Sequence, residues 1–399
     1  MLRVLTLSTL FPDASRPNFG VFVERQTRGL AALADTEVRV VAPVGLPPWP
    51  LARMARHRSL AALPSRETWK GLDVTRPCFP ALPVTQGRFH ARLLARALVR
   101  HVDAIRRDFA FDVIDASFFF PDGPAAVALG RRYGVPVSIK ARGADIHHWG
   151  RARPTAREVL DAGRAASGLL AVSAAMKADM VALGLPADAI RVHYTGVDLD
   201  RFAPGDRPAL KARLGVAGPL VVSLGALIPR KGHDVVIEAV ARLPGTTLLV
   251  AGEGPERGRL AALAERLGVA DRVRLIGPVP HAELPALLAA ADVMALASSS
   301  EGLANAWVEA LACGTPVVIT DAGGARELVT SPVAGPAAGR VVERTPAAFA
   351  AAIAELLGDA PDPAVVREAA ARFTWDANAV ALRAHLSALA AKALQHRSC

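Results

Sequence analysis

Short apolar runs alternate along this chain with longer stretches in which apolar positions recur every three to four residues. Continuous Val/Ile/Leu/Ala runs read as strands buried on both faces, and the longer periodic stretches as the helices crossing between them. In the first half the pattern predicts strands over 3–10, 38–42, 113–116, 137–141 and 168–172, with helices from residue 21 and over 123–133. In the second half it predicts strands over 220–224, 247–251, 273–276, 293–297 and 317–320, with helices over 234–242, 257–267 and 305–312. Residues 43–107 read as a long, irregular, basic and Pro-rich insertion. Strand–helix–strand repetition of this kind implies two α/β halves built on parallel sheets.

A chain of 399 residues exceeds one ordinary domain. The stretch 201–207, with Pro204, Gly205 and Pro208 around it, reads as the linker. The expected organisation is a first domain over 1–203, a second over 204–375, and a helical stretch over 376–399 with apolar residues at Val380, Leu382, Leu386, Leu389 and Leu394.

With 52% apolar and 21% charged residues, wholesale disorder is excluded. No apolar run reaches the ~18 residues of a membrane helix, and the N-terminus lacks a signal-peptide core. Cys78, Cys313 and Cys399 are odd in number and far apart, which indicates neither a disulfide framework nor a zinc site and implies a reduced, cytoplasmic setting. Through Gly205 the chain has 28 Lys/Arg against 18 Asp/Glu; from Asp206 onward the count is 19 against 19. All of the net charge of +10 therefore lies in the first half. Aromatics are only 5% and no nucleic-acid module is recognisable, so the expected partner of that half is an anionic substrate or membrane surface rather than nucleic acid.

In open parallel sheets, ligands bind beyond the carboxyl ends of the strands, which directs attention to the loops there. After the strand at 220–224 comes Gly225-Ala226-Leu227-Ile228-Pro229-Arg230-Lys231-Gly232, a glycine turn carrying two cations suited to a diphosphate; taken alone, a solvated basic turn is the plainer reading. After the strand at 293–297 comes Ser298-Ser299-Ser300-Glu301-Gly302-Leu303-Ala304-Asn305, leading into a helix that holds Glu309. Amides around Gly302–Asn305 at the helix start suit an anion, and Glu301 and Glu309 are placed to accept from two sets of hydroxyls. An ordinary helix start with acidic neighbours has the same local sequence.

Glu301-x7-Glu309 followed by Ala310-Leu311-Ala312-Cys313-Gly314-Thr315-Pro316 resembles the signature of family 4 glycosyltransferases. Gly225…Arg230-Lys231-Gly232, Gly252-Glu253-Gly254-Pro255, Gly277-Pro278-Val279, Ala291-Asp292, Gly323-Gly324-Ala325-Arg326-Glu327 and, earlier, Val172-Ser173 and Gly196-Val197-Asp198…Arg201-Phe202 fall in that family's order. The resemblance covers essentially the whole chain. It implies the GT-B fold, with two Rossmann-like doubly wound parallel-sheet domains facing across a cleft, the first binding the acceptor and the second the nucleotide sugar, and with the 376–399 helix crossing back onto the first. It also implies retaining, metal-independent, hexosyl-type transfer from a nucleoside-diphosphate sugar, with no cofactor.

Carried over, Arg230 and Lys231 neutralise the donor diphosphate and Glu309 binds the ribose. Glu301 binds a hydroxyl of the transferred sugar, while the amides of Gly302, Leu303, Ala304 and Asn305 bind sugar and phosphate. The backbone at Val279 faces the base. Gly225 belongs to the diphosphate turn, and Gly20 lets the first strand-to-helix loop approach the diphosphate. Where many relatives carry His-Gly-x-Asp, this chain has Arg142-Gly143-Ala144-Asp145-Ile146-His147. Asp145 keeps its place among the catalytic groups, while either Arg142 or His147 takes the histidine's sugar contact. This variant resembles polysaccharide-assembly enzymes, which implies a lipid-linked or other saccharide acceptor in cell-envelope polysaccharide synthesis and a peripheral position on the inner face of the plasma membrane.

Two other enzymatic motifs fit poorly. Asp198-Leu199-Asp200 is a literal D-x-D, but it sits in the segment leading to the linker. Gly252-Glu253-Gly254-Pro255-Glu256-Arg257-Gly258 has its third glycine one position late for a dinucleotide site. The alternatives to a transferase are a nucleotide-sugar 2-epimerase of the same fold and a non-catalytic sugar-nucleotide scaffold. For the membrane surface, Trp49, Leu51, Met54 and Leu60 alternate with Arg53, Arg56, His57 and Arg58. Arg88, Arg92, Arg96 and Arg100 recur every four residues, forming a basic stripe if helical.

Overall fold

The computed structural model describes residues 1–51, 54–330 and 335–397. The chain forms two compact units, Met1–Gly196 with Trp375–Cys399, and Val197–Thr374. The division falls at Gly196/Val197 and Thr374/Trp375, against boundaries of 203/204 and 375/376 read from the Pro/Gly content.

The strands of the first unit are β1 (Leu2–Leu7), β2 (Thr36–Val41), β3 (Val44–Leu46), β4 (Arg66–Trp69), β5 (Leu72–Thr75), β6 (Cys78–Pro80), β7 (Val113–Ala116), β8 (Val137–Ala141), β9 (Gly168–Ala171) and β10 (Ile190–Val192). Among the described residues its main sheet runs β10-β9-β8-β7-β1-β2-β5-β4, parallel except for the β4–β5 edge hairpin. The strand order reverses between β1 and β7, which pair in parallel with Val4 opposite Val113. Residues 43–107 are not irregular. They hold β3 to β6, the helix Ala55–Ala61 and the helix His90–Arg106, whose buried face is Ala91, Leu94, Leu98, Val102 and Ile105. β4 and β5 escape the pattern because β4 is a short, half-exposed edge strand and β5 alternates buried Leu72 and Val74 with polar residues, so neither carries a continuous apolar run.

The second unit holds β11 (Leu220–Leu224), β12 (Thr247–Ala251), β13 (Val273–Gly277), β14 (Val293–Leu296), β15 (Val317–Thr320) and β16 (Gly339–Val342). Their order, β13-β12-β11-β14-β15-β16, is the 3-2-1-4-5-6 order of a doubly wound nucleotide-binding sheet. β11 pairs with β14 at Val221–Val293, and this is where the order reverses. Its core packs Val221, Val250, Val293 and Val318 against Val236, Val240, Phe349 and Ile353 of the covering helices.

The terminal helix Trp375–Arg397 belongs to the first unit and seals one face of its sheet, with Leu382, Leu386 and Ala390 packed among Val4, Val40, Val113 and Leu170. Leu389 lies against Gly168, and His385 Nε2 lies 3.1 Å from the Ser138 hydroxyl. Val380 and Leu394, read as part of the apolar face, are instead exposed. The buried stripe steps through 382, 386 and 390, and those two positions fall off it. Among the described residues, no helix is long and apolar enough to cross a membrane. Arg53 and Cys399 lie outside the described residues.

Candidate active site

The loops after β11 and β14 flank the switch point of the second sheet, where a crevice opens beyond the strand ends. The first loop turns through a short 3₁₀ segment, Pro229–Lys231, and enters the helix His233–Ala241 at Gly232. Gly232 has φ of 66°, and a Cβ there would fall 2.2 Å from the Ala297 carbonyl, so only glycine lets this turn press onto the second loop. That contact is reinforced by the Ser299 amide donating to Arg230 O at 2.8 Å.

Four groups therefore meet at one point. Lys231 Nζ lies 2.5 Å from Glu301 Oε1, which also accepts from the Ser298 hydroxyl at 2.7 Å. The Arg230 guanidinium donates to the Ser300 carbonyl and stands 3.5 Å from Glu301 Oε1. Glu301 is nearly buried and Lys231 half-buried, while Arg230 is exposed. Gly225 opens this loop, against the aliphatic part of Lys231. Two cations share one carboxylate here, leaving positive charge over for an anion.

Behind the turn, His233 is buried with Nδ1 2.9 Å from the Ser223 hydroxyl and Nε2 3.2 Å from Ala226 O. Burial pushes its pKa down to about 4. The neutral ring donates from Nε2 to the carbonyl and accepts at Nδ1 from the serine, locking the loop without adding charge. Arg344 ties the two loops together, donating to Ala297 O at 2.7 Å and to Pro229 O at 3.0 Å. Neither His233 nor Arg344 is identifiable from sequence, since their roles are set by carbonyls of other segments. Ser298 could have been found, standing three residues before Glu301 within reach of its carboxylate.

The helix Asn305–Ala312 starts where the pattern placed it, after Ala304, and is anchored by buried Trp307, Val308 and Leu311. No side chain caps it among the described residues, so its first amides remain available to an anion. Gly302, Leu303 and Ala304 are buried in the approach to it. Glu309, on this helix, has Oε1 3.4 Å from His281 Nε2. His281 follows Val279 in the loop after β13, so that loop and the helix meet through this pair. The Gly252-Glu253-Gly254 segment braces the site: Leu227 N donates to Glu253 O at 2.8 Å and Gly225 N to Ala251 O at 3.0 Å.

The candidates of the first unit are differently placed. Asp145 is fully buried, and its carboxylate accepts from the amides of Arg142, Gly143 and Phe119 at 2.7–3.1 Å. It braces the loops after β7 and β8 through these amides. His147 Nε2 is 2.8 Å from Asp179, which ties it to the helix Ala174–Ala182. Arg142 donates to Ser117 O at 2.6 Å and to Gln26 at 3.3 Å, with its guanidinium 4.8 Å from the Phe22 ring. Gly20 caps the helix Val21–Ala32 at φ of 68°; a Cβ would lie 2.4 Å from the Leu10 carbonyl, so packing inside this unit already requires glycine. Asp198, of the D-x-D, accepts from the Arg201 amide and serves as a turn residue.

Two family models between them span nearly all of the chain. The model described as Glycosyltransferase Family 4 matches residues 20–201, and that described as Glycosyl transferases group 1 matches residues 207–373. The chain belongs to the family 4 glycosyltransferases. The D-inositol 3-phosphate glycosyltransferases of Mycobacterium tuberculosis and Mycobacterium bovis are 43% identical over 154 residues, which is 37% of this chain and 32% of theirs. The match thus spans about a third of those curated relatives. Among solved structures, a sucrose-phosphate synthase of Thermosynechococcus elongatus superposes with a TM-score of 0.78 at 21% identity, covering 98% of this chain and all of that one. HepE of Anabaena in complex with UDP and glucose gives 0.73 at 21% identity, covering 97% of this chain and all of that one. At that identity the superpositions establish the fold alone, and that fold is the family 4 one, GT-B.

Proposed function

We propose that this family 4 protein is a retaining glycosyltransferase that moves a sugar from a nucleoside-diphosphate sugar to an acceptor hydroxyl. The observation that carries the reading is the meeting of Arg230, Lys231, Ser298 and Glu301 at the switch point of the second sheet. On this reading, Lys231 and Arg230 stabilise the departing diphosphate where its negative charge develops, and the amides before Asn305 add to that field. When phosphate enters, Lys231 exchanges part of its contact with Glu301 for the ligand. The released carboxylate edge then accepts from a sugar hydroxyl. Glu309 accepts from the ribose, and the loop at Val279 borders the base. On this reading charge stabilisation does the work of a metal, and the leaving phosphate takes the acceptor proton on the same face.

The acceptor we propose is a lipid-linked saccharide used in cell-envelope polysaccharide assembly, bound by the first unit at the cytoplasmic surface of the membrane. Support comes from exposed Trp49, 74% accessible, with exposed Leu51 and Met54. On the helix His90–Arg106, Arg92, Arg96 and Arg100 are exposed opposite the buried Leu94, Leu98 and Val102. Basic residues contribute roughly 1 kcal/mol each near an anionic bilayer.

A thermal-shift screen against UDP-, GDP- and ADP-sugars tests the donor half, since a donor at about 100 times its Kd stabilises by about 2.7 kcal/mol. Stabilisation by none of the three overturns the reading. Conversion of a donor into its 2-epimer without acceptor moves the assignment to an epimerase.

A further inference from the structure

A groove of about 950 Å³ opens on the first unit, lined by Val84, Arg88, Phe89, Arg92, Arg153 and Glu158 among others. It lies on the ligand side of the sheet. Gly87, between the lining residues Gln86 and Arg88, packs against Trp149, Phe120 and Thr155, side chains of the loops that follow β7 and β8. Its other wall is the start of the helix Ala156–Ala165, with Arg153 and Pro154 just ahead of it and Arg157 within it.

Four arginines, Arg88, Arg92, Arg153 and Arg157, line this groove. Arg157 pairs loosely with Asp161 at 3.6 Å, and Arg88 lies over the Phe89 ring at 5.8 Å. Neither Arg92 nor Arg153 has a carboxylate partner among the described residues. Like charges gathered in a concavity repel one another, and an anion bound there relieves that repulsion. Guanidinium forks match the paired oxygens of phosphoryl groups. Glu158 Oε2 is buried with no hydrogen-bond partner among the described residues, and burial pushes its carboxyl up. The rim is apolar: Val84 is 98% exposed and Phe89 half-exposed. A ligand matched to this groove has phosphate at one end and hydrocarbon at the other.

We propose that the groove binds the phosphate or diphosphate ester end of a lipid-phosphate acceptor, with the phosphoryl oxygens on Arg92 and Arg153 and the apolar chain along Val84 and Phe89. This deepens the glycosyltransferase reading and rests on it for the word acceptor; the binding itself does not depend on it.

The test is titration calorimetry of the full chain with geranyl diphosphate, geraniol and inorganic pyrophosphate. Geranyl diphosphate binds, geraniol does not, and pyrophosphate binds more weakly. Arg92→Glu with Arg153→Glu weakens geranyl diphosphate binding by roughly tenfold or more, while the paired Lys variants retain most of it. Both arginines are exposed, so the melting temperature holds. Val84→Asp brings geranyl diphosphate down to the pyrophosphate level. The same titrations in the Arg230→Ala, Lys231→Ala background, where the donor loops no longer hold a diphosphate, isolate the groove: geranyl diphosphate binding that still depends on Arg92 and Arg153 supports the proposal, and loss of binding there means that the ligand sat at the donor loops and overturns it. So does an unchanged affinity in the Arg92/Arg153 glutamate variant. Sedimentation with phosphatidylglycerol vesicles separates a second source of the same phosphate. Arginine-dependent vesicle binding without binding of soluble geranyl diphosphate assigns the groove to the bilayer and also overturns the proposal. A null donor screen alongside intact geranyl diphosphate binding would remove the transferase reading and leave the site standing.

Discussion

Lys231 Nζ sits 2.5 Å from Glu301 Oε1, across 70 positions of sequence, and the Ser298 hydroxyl shares the same oxygen. Read along the chain, these are a cation for phosphate and a carboxylate for sugar; in the fold each holds the other ready. Removing either partner leaves a poorly solvated charge, so the pair acts as one unit. Lys231→Ala, or Arg230→Ala, should lower glycosyl transfer by about 100-fold with little change in melting temperature for the exposed Arg230. If the double variant retains near-normal turnover in a donor-saturated assay, the donor assignment fails.

Glu309 and His281 join the helix Asn305–Ala312 to the loop after β13 at 3.4 Å. Glu309→Gln keeps the shape and an acceptor oxygen but loses the charge. It should raise the donor KM by roughly tenfold while kcat changes less, because this interaction is made equally in ground and transition states. An equal fall in kcat would place Glu309 with the reacting groups instead.

Asp122 supplies a stability test. Its Oδ2 accepts from the Thr9 amide at 2.8 Å, while Oδ1 is buried without a partner among the described residues. Burial pushes its carboxyl up to about 7, with the neighbouring Asp145 adding to the rise. A carboxyl whose folded pKa is raised favours the fold while it is protonated and loses that contribution as pH climbs through about 4 to 7. Asp122→Asn should therefore leave stability nearly unchanged at pH 4 and raise it by roughly 1–4 kcal/mol at pH 8. Denaturant titrations at the two pH values measure this, and an equal effect at both would contradict the assigned ionisation.

The terminal helix offers a packing test. Leu386 is fully buried among Val4, Val40 and Val113, whereas Leu394 is 61% exposed. Leu386→Ala should cost about 2–5 kcal/mol in unfolding free energy, and Leu394→Ala no more than about 0.5 kcal/mol. Equal effects would show that this helix does not contribute to the core of the first unit.

Much of this was legible in the chain. Strands 113–116, 137–141, 220–224, 247–251 and 317–320 appear where the pattern put them, because a parallel strand covered on both faces is mostly apolar. The helix start at Asn305 and the turn Arg230-Lys231-Gly232 were equally visible, since glycine and helix termini act through nearby backbone. The β4–β5 hairpin, and the exposure of Val380 and Leu394 on Trp375–Arg397, were not legible. Both depend on neighbours contributed by distant segments. Tertiary structure also decided what each candidate does. Asp145 carries the family's aspartate and accepts from three amides of folded loops, and His147 is held by Asp179. Sequence by itself determined which residues have the chemistry, because periodicity and turn composition are local properties. Only the strand order decided which of them meet: the reversal between β11 and β14 brings two loops 70 positions apart to one crevice, a long-range outcome that no local pattern carries.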